Sequence, residues 1–322
     1  MTDQAVRAVR RCWWVPPELS AHRLNRFVSH CLPHLSRRSI DQMIGEKSIR
    51  INGRVGKKGD RIVAGDCVSF TGNFDRLAEQ PLPTAVFETP VIYEDDSILV
   101  FNKPGSVATH GFSGSDRGTL ANLIAARWPE LLEVGKSRWE PGLLHRLDIE
   151  TSGLILFAKT QAAFDRLRLQ FRRREIGKTY LALVWGDADA EGIIDFALAH
   201  DSSDRRKMRT VSSAARGKQL RSWRAVTQYR KIGAAQGMSL LQIVISTGVT
   251  HQIRVHLAAI GCPIVGDVLY GPEGDERFGL SRHFLHAKGL EFNHPSDQRR
   301  IRLEAEMPRE LMDVLERLGI KF

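Results

Sequence analysis

The chain has 322 residues, 42% hydrophobic and 26% charged, which is enough apolar material for a sizeable core and enough length for two domains, one of them small. It holds no apolar run long enough to span a bilayer, and the opening Met1-Thr2-Asp3-Gln4 does not resemble a secretory signal, so a cytoplasmic protein is expected. Forty-seven basic against 37 acidic residues leave a formal net charge of +10, which favours polyanionic partners, nucleic acid first.

The first element group is compact and basic. Ser20 to Phe70 holds ten Lys or Arg and four Asp or Glu, so a short segment carries +6 of the total. Arg23 to Val28 reads as a first helix, and Ser36 is placed to cap a second over Arg37 to Gly45. Ser48-Ile49-Arg50-Ile51 then alternates as a strand into the turn signal Asn52-Gly53, and Gly65-Asp66 precedes the alternating Cys67-Val68-Ser69-Phe70. This helix, helix and hairpin order, with Arg37 and Arg38 at the start of the second helix, resembles the S-four-like RNA-binding module named after a ribosomal protein. Asn25 stands where that module more often carries an acidic residue.

From Thr71 to Pro90 periodicity is lost and Pro81, Pro83 and Pro90 accumulate, which predicts an extended tether over 71–90. A second domain is expected over 91–322. It opens on Val91 to Asp95 and the apolar strand Ile98 to Phe101, and continues with a helix over Gln161 to Arg174, a strand over Thr179 to Trp185 and a helix from Thr250 to Ile260 ending at Gly261. Strands and helices intermix without regular alternation. The expected class is therefore α+β, a mixed and largely antiparallel sheet with flanking helices, beside a small N-terminal α/β module.

Several chemistries find no support. The cysteines Cys12, Cys31, Cys67 and Cys262 lie far apart, without the short paired spacing of a zinc site, and read as reduced packing residues. No Gly-rich phosphate loop of the usual spacing is present, so no nucleotide cofactor is expected. His251, His256, His283 and His286 have no accompanying carboxylate cluster and read as structural or RNA-facing. Without a recognition helix or a dimerisation heptad, a DNA regulator is a weak reading. Hydrolysis would need a second carboxylate or a metal cluster that the sequence does not offer.

The densest polar cluster is His145-Arg146-Leu147-Asp148-Ile149-Glu150-Thr151-Ser152-Gly153, leading into the strand Leu154 to Lys159. Three further blocks follow a recognisable order around it: Asn102-Lys103-Pro104, Lys178-Thr179-Tyr180 through Gly186, and Thr247 through Gly266-Asp267 with Tyr270-Gly271. Together these four blocks resemble the RluA-type family of pseudouridine synthases, over nearly all of residues 91 to 290. The resemblance implies isomerisation of uridine to pseudouridine in RNA. It makes Asp148 the catalytic carboxylate, acting on the sugar as a nucleophile or a base, two routes the sequence leaves open. Arg254 pairs with Asp148, and Tyr180 stacks on the uracil. His145, Arg146, Thr151 and His251 face the substrate RNA, with Arg146 helping to extrude the target nucleotide. Val249 departs from the family pattern, which has Arg there.

Two further basic stretches suit a phosphate-rich partner. Arg166, Arg168, Arg172, Arg173, Arg174 and Lys178 recur along one helix and its exit, and Arg205 through Arg224 holds eight Lys or Arg and no acid, in a loop-like context with Ser202, Ser203, Ser212, Ser213 and Gly217. Arg205, Arg206, Lys207 and Arg209 are read as an RNA clamp. The whole reading is a cytoplasmic, monomeric RNA pseudouridine synthase without metal, nucleotide or redox cofactor, acting on large-subunit ribosomal RNA. Its alternatives are a transfer RNA pseudouridine synthase and a noncatalytic RNA-binding ribosome-assembly factor.

Overall fold

The structure, a computed structural model, describes residues 11–72, 74–211, 221–273 and 278–321. Met1 to Gln4, Ser212, Ser213 and Gly217 lie outside the described residues. The chain divides into two compact units, one from Met1–Leu82 with Gly111–Arg117 and one from Pro83–His110 with Gly118–Phe322.

The first unit runs β1 (Arg11–Trp14), α1 (Leu24–Cys31), α2 (Arg37–Gly45), β2 (Ile49–Ile51), β3 (Arg54–Val55) and β4 (Cys67–Phe70). Its sheet has the order β1-β4-β2-β3, antiparallel throughout. Ser36 caps α2 by accepting the Ser39 N–H at 3.1 Å, which satisfies one orphan donor of the first turn. Asn52 and Gly53 are both left-handed, at φ 49° and 86°, as a tight twisted hairpin requires. Phe27 and Val28 of α1 and Ile40 and Met43 of α2 pack on Ile49, Ile51, Val68 and Phe70. Strand β1 was not expected, because Arg11-Cys12-Trp13-Trp14 is an edge strand exposed except at Trp13 and so lacks an alternating pattern. Asn25 donates to Asp41 at 3.3 Å, and Asp41 pairs with Lys58 at 2.7 Å.

Within the stretch 71–90, described residues pack onto each unit. Prolines forbid regular pairing but not burial. Leu77, at the end of a short 3-10 turn, lies in the core of the first unit. Thr89 is buried in the second unit, its hydroxyl donating to the Asn102 carbonyl at 2.9 Å. Gly111–Arg117, placed by the sequence reading in the second domain, belongs to the first unit, where Arg117 Nη2 lies 2.6 Å from Asp75 Oδ2.

The second unit comprises β5 (Val91–Glu94), β6 (Ile98–Lys103), α3 (Leu120–Arg127), β7 (Ser152–Ala158), α4 (Gln161–Arg173), β8 (Gly177–Trp185), β9 (Glu191–Ile194), β10 (Ala197–His200), β11 (Met208–Val211), β12 (Thr227–Ala235), β13 (Met238–Ile245), α5 (Gln252–Ala259), β14 (Leu285–Asn293), β15 (Arg300–Glu304) and α6 (Arg309–Leu318). Among the described residues nine strands form one sheet, in the order β5-β6-β7-β14-β8-β13-β12-β9 with β15 beside β14. Only the β7–β14 pairing is parallel, so the mixed, largely antiparallel expectation holds. Strands β10 and β11 form a separate hairpin.

Period-two alternation sorts the central strands into two cores. Ile98, Val100, Leu154 and Leu156 point to one face, where Ala163, Phe164 and Leu167 of α4 cover them. Leu99, Phe101, Ile155 and Phe157 point to the other, against Leu120, Leu123 and Ile124 of α3 and Leu311, Val314 and Leu315 of α6. Both faces are dry, which is why β7 reads as an unbroken apolar run. Helix α4 is bounded by Thr160, which accepts the Ala163 N–H at 3.1 Å, and by the left-handed Arg174 at φ 59°.

Candidate active site

The cluster before β7 forms a loop in which the four carbonyls from Leu147 to Glu150 are held. Thr109 Oγ1 donates to Leu147 O at 3.1 Å, and the Thr151 N–H to Asp148 O at 3.1 Å. Lys103 Nζ donates to Ile149 O at 3.0 Å, and Arg282 Nη1 to Glu150 O at 2.9 Å. Four consecutive carbonyls are therefore held, three of them from outside the loop and that of Asp148 from within it, and Asp148 has little freedom to drift. Lys103 is fully buried and also donates to Pro104 O at 2.9 Å and Val107 O at 2.8 Å. Burial pushes it down to about 7, while three carbonyl acceptors match the three donors of its charged form. The loop ends at Gly153, whose φ of +116° and closeness to Ala287 exclude any side chain: an added Cβ would lie 2.3 Å from the Ala287 carbonyl oxygen. That approach permits the parallel pairing of Ser152 with His286 and Gly153 with Ala287.

Helix α5 supplies the partner. Arg254 Nη1 donates to Asp148 Oδ2 at 3.1 Å, while Nε and Nη2 grip Asp267 at 2.6 and 2.8 Å. The side chain of Asp267 is wholly buried and that of Arg254 nearly so, whereas Asp148 keeps 24% exposure. Burial opposes charge on Arg254, but Asp267 and then Asp148 outweigh it and keep the guanidinium ionised. Asp267 itself also accepts the backbone N–H groups of Leu269 and Tyr270 at 2.9 and 3.2 Å.

Asp148, Arg254 and Tyr180 line one cavity of about 640 Å³, together with Arg146, Thr151, Lys178, His251 and Leu285. Tyr180 lies on β8, 6% exposed, and its phenol is driven upward in pKa by burial and then by the Asp148 charge. Arg146, Arg172, Arg174 and Arg224 line the same cavity. Arg146 is exposed and has no ion pair among the described residues, which leaves it available to a phosphate or a base. His251 begins α5 in a left-handed conformation, φ 54°, with Nε2 3.9 Å from Asp148 Oδ2.

Three residues read as RNA-facing line this cavity and also have internal partners. His145 Nε2 accepts the Leu156 N–H at 3.1 Å and is held neutral, pushed down to about 3 by burial and then by Lys178. Thr151 is buried, with Oγ1 2.8 Å from His283 Nε2, and His283 Nδ1 lies 2.9 Å from Glu150. Lys178 is buried and donates to Thr247 O at 2.8 Å, with burial lowering it to about 8. The other histidines have protein partners: His256 bonds with Thr227 Oγ1 and Phe196 O, and His286 with Ser152 Oγ.

The stretch read as an RNA clamp is part of a hairpin, with Arg209 on β11 and Arg205, Arg206 and Lys207 at the turn. Its charges are partly compensated, because Arg206 pairs with Asp204 at 2.8 Å and Arg224 with Asp195 at 3.6 Å. Arg205 and Arg209 are exposed. Val249, the departure from the family pattern, packs with Tyr270 and Trp223 against Leu198, Met208 and Val255, so it helps to seat this hairpin on α5. In the first unit, Arg37 and Arg38 are exposed, and Arg37 lines a basic pocket with His22, Arg23, Arg26 and Arg61. Sequence reasoning assigned no role to Asp267 or Lys103, although both stand in quoted motif blocks. Thr109 and Arg282 gave no local signal at all.

The comparisons agree with this arrangement. The family model described as RNA pseudouridylate synthase matches residues 97–259. An uncharacterised RNA pseudouridine synthase of Chloroflexus aurantiacus is 37% identical over 98% of this chain and 96% of its own length. A protein of Neisseria meningitidis serogroup B named ribosomal large subunit pseudouridine synthase D is 32% identical over 95% of this chain and 81% of its own. Among solved structures, human RNA pseudouridylate synthase domain containing 1 aligns with a TM-score of 0.56 at 27% identity, covering 71% of this chain and 88% of that one. The chain belongs to the RNA pseudouridylate synthase family, enzymes that isomerise uridine in RNA to pseudouridine.

Proposed function

We propose that this enzyme modifies large-subunit ribosomal RNA, with Asp148 as the carboxylate that acts on the ribose of the target uridine. The observation that carries the site is the single hydrogen bond from Arg254 to Asp148, at 3.1 Å, inside the cavity that Tyr180 also lines. In the reaction the bond from uracil N1 to the sugar breaks and a bond from C5 to the same carbon forms. C5 gives up its proton and N1 gains one, so no water or redox equivalent is consumed. An ionised carboxylate is needed whether it attacks the sugar carbon or removes a sugar proton, and Arg254 donates to it at 3.1 Å. Tyr180 holds the detached base while it turns, and Arg146 occupies the space the extruded nucleotide leaves.

The choice of ribosomal RNA is supported by the name of the Neisseria relative and by the basic first unit, whose Arg37 and Arg38 sit at a helix N-terminus where cations oppose the helix dipole. Charges kept against that local cost suit a phosphate contact. The enzyme acts as a cytoplasmic monomer. Among the described residues no helix is long and apolar enough to cross a membrane. Pseudouridine mapping of total RNA from wild type, a deletion strain and that strain carrying Asp148→Ala tests the reading. Large-subunit sites lost on deletion and not restored by Asp148→Ala are expected; loss confined to transfer RNA overturns the substrate, and full restoration overturns the role of Asp148.

A further inference from the structure

Hydrogen bonds through Tyr270 link the hairpin β10–β11 to His251, whose Nε2 lies 3.9 Å from Asp148 Oδ2. The Asp201 N–H donates to Lys207 O at 3.0 Å, which makes the next pair, His200 opposite Met208, a position whose N–H points away from the partner strand. That outward Met208 N–H donates to Tyr270 Oη at 2.7 Å. The phenol's other neighbour is His251 Nδ1, at 2.8 Å, an acceptor within reach of the phenol's own proton. A neutral imidazole that accepts at Nδ1 carries its proton on Nε2, and Nε2 is the nitrogen that faces Asp148. The Tyr270 ring also lies 5.2 Å from the Arg254 guanidinium carbon, so Tyr270 touches both cavity residues that approach Asp148 Oδ2.

We propose that Tyr270 is a positioning residue: it fixes the proton of His251 on Nε2, facing Asp148, and links that arrangement to the basic hairpin, so that RNA seated on Arg205 and Arg209 steadies the carboxylate. The inference rests on the reading of Asp148 as catalytic. The groups facing His251 act in both directions, Asp148 and Asp267 favouring its protonation and Arg254 and His283 opposing it, while burial keeps it neutral. A protonated His251 would hold Asp148 in an ion pair and away from the sugar. The phenol guards against this by occupying Nδ1.

The test is Tyr270→Phe, which keeps the ring beside Arg254 and removes only the hydroxyl. With unmodified RNA transcribed across a mapped target uridine, kcat should fall about tenfold while KM changes little, and the acid limb of the rate profile should move to higher pH as Nδ1 becomes free to take a proton. Neutralising Arg205 and Arg209 should lower kcat in the parent and have less effect on kcat in the Tyr270→Phe background. Unchanged kcat and acid limb in Tyr270→Phe, or strictly additive effects with the hairpin variant, overturn the inference. The imidazole 15N spectrum of the unaltered protein, with His251 assigned from His251→Asn, tests it without reliance on the Tyr270 variant: the Nε2–H tautomer supports the inference and the Nδ1–H tautomer overturns it. An inactive Asp148→Ala beside an unaffected Tyr270→Phe sinks this inference alone, whereas an active Asp148→Ala sinks the reading of the site.

Discussion

Arg254 grips Asp267 through two hydrogen bonds, from Nε at 2.6 Å and from Nη2 at 2.8 Å. The remaining nitrogen reaches Asp148 through one, at 3.1 Å. The guanidinium is therefore oriented by a carboxylate that faces no solvent and offered to one that faces the cavity. Asp148→Asn keeps the size of the side chain and removes the charge Arg254 addresses. Its turnover, followed by release of tritium from uracil C5, is expected to fall by roughly 10^2- to 10^4-fold with the circular dichroism spectrum unchanged.

Asp267→Asn breaks the buried half of the same network and leaves Arg254 imperfectly paired. The expected loss is about 3–5 kcal/mol of stability, read from urea unfolding, together with a fall in kcat. Burial alone would raise the Asp267 pKa, but the hydrogen bonds and charge of Arg254 pull it below the ordinary carboxylate value. A depressed folded-state pKa gives stability that is complete above the unfolded value, about 3.9, and lost as pH falls through the folded one. The parent should lose this contribution below about pH 4, and Asp267→Asn should show a shallower acid slope.

Lys103→Met retains the length of the buried chain and removes its three donors. Three carbonyls, including that of Ile149 beside Asp148, are then left without this partner. Each unsatisfied buried acceptor costs about 1–3 kcal/mol, so the melting temperature should drop clearly. Because the loop loses a tie, kcat should fall further than the fraction of folded protein explains.

Gly153→Ala places a methyl group against the Ala287 backbone at a left-handed φ of +116°. Strain of about 1–3 kcal/mol from the backbone alone is expected, with further loss from separation of β7 and β14. Differential scanning calorimetry should show a lower melting temperature than Gly237→Ala, whose added Cβ meets nothing within 4 Å at a similarly positive φ.

Replacing Arg205, Lys207 and Arg209 with Gln is expected to weaken RNA binding and flatten its salt dependence. Each phosphate that is no longer neutralised lowers the slope of log affinity against log salt by about 0.7 to 0.9. Arg206→Gln should matter less for binding, because Arg206 is held by Asp204 at 2.8 Å. Filter binding between low and physiological salt checks both; an unchanged slope in the triple variant removes the hairpin from the RNA interface.

Local chemistry made much of this protein legible in one dimension. Ser36 before α2, Asn52-Gly53 at the hairpin and Thr160 before α4 act through neighbours a few residues away, so their sequence signals match the structure. The motif around Asp148, with Arg254 and Tyr180 from other blocks, likewise identified three residues that share a cavity. The tertiary structure decided what depends on distant partners. It gave His145 and Thr151 internal partners, the Leu156 N–H for one and His283 for the other. It gave roles to Lys103, Thr109 and Arg282, whose acceptors in the Asp148 loop lie 38 to 132 residues away and leave no local pattern. It joined β11 to the site through Tyr270 and His251, a connection set by side-chain reach across the fold, which no spacing in the sequence encodes.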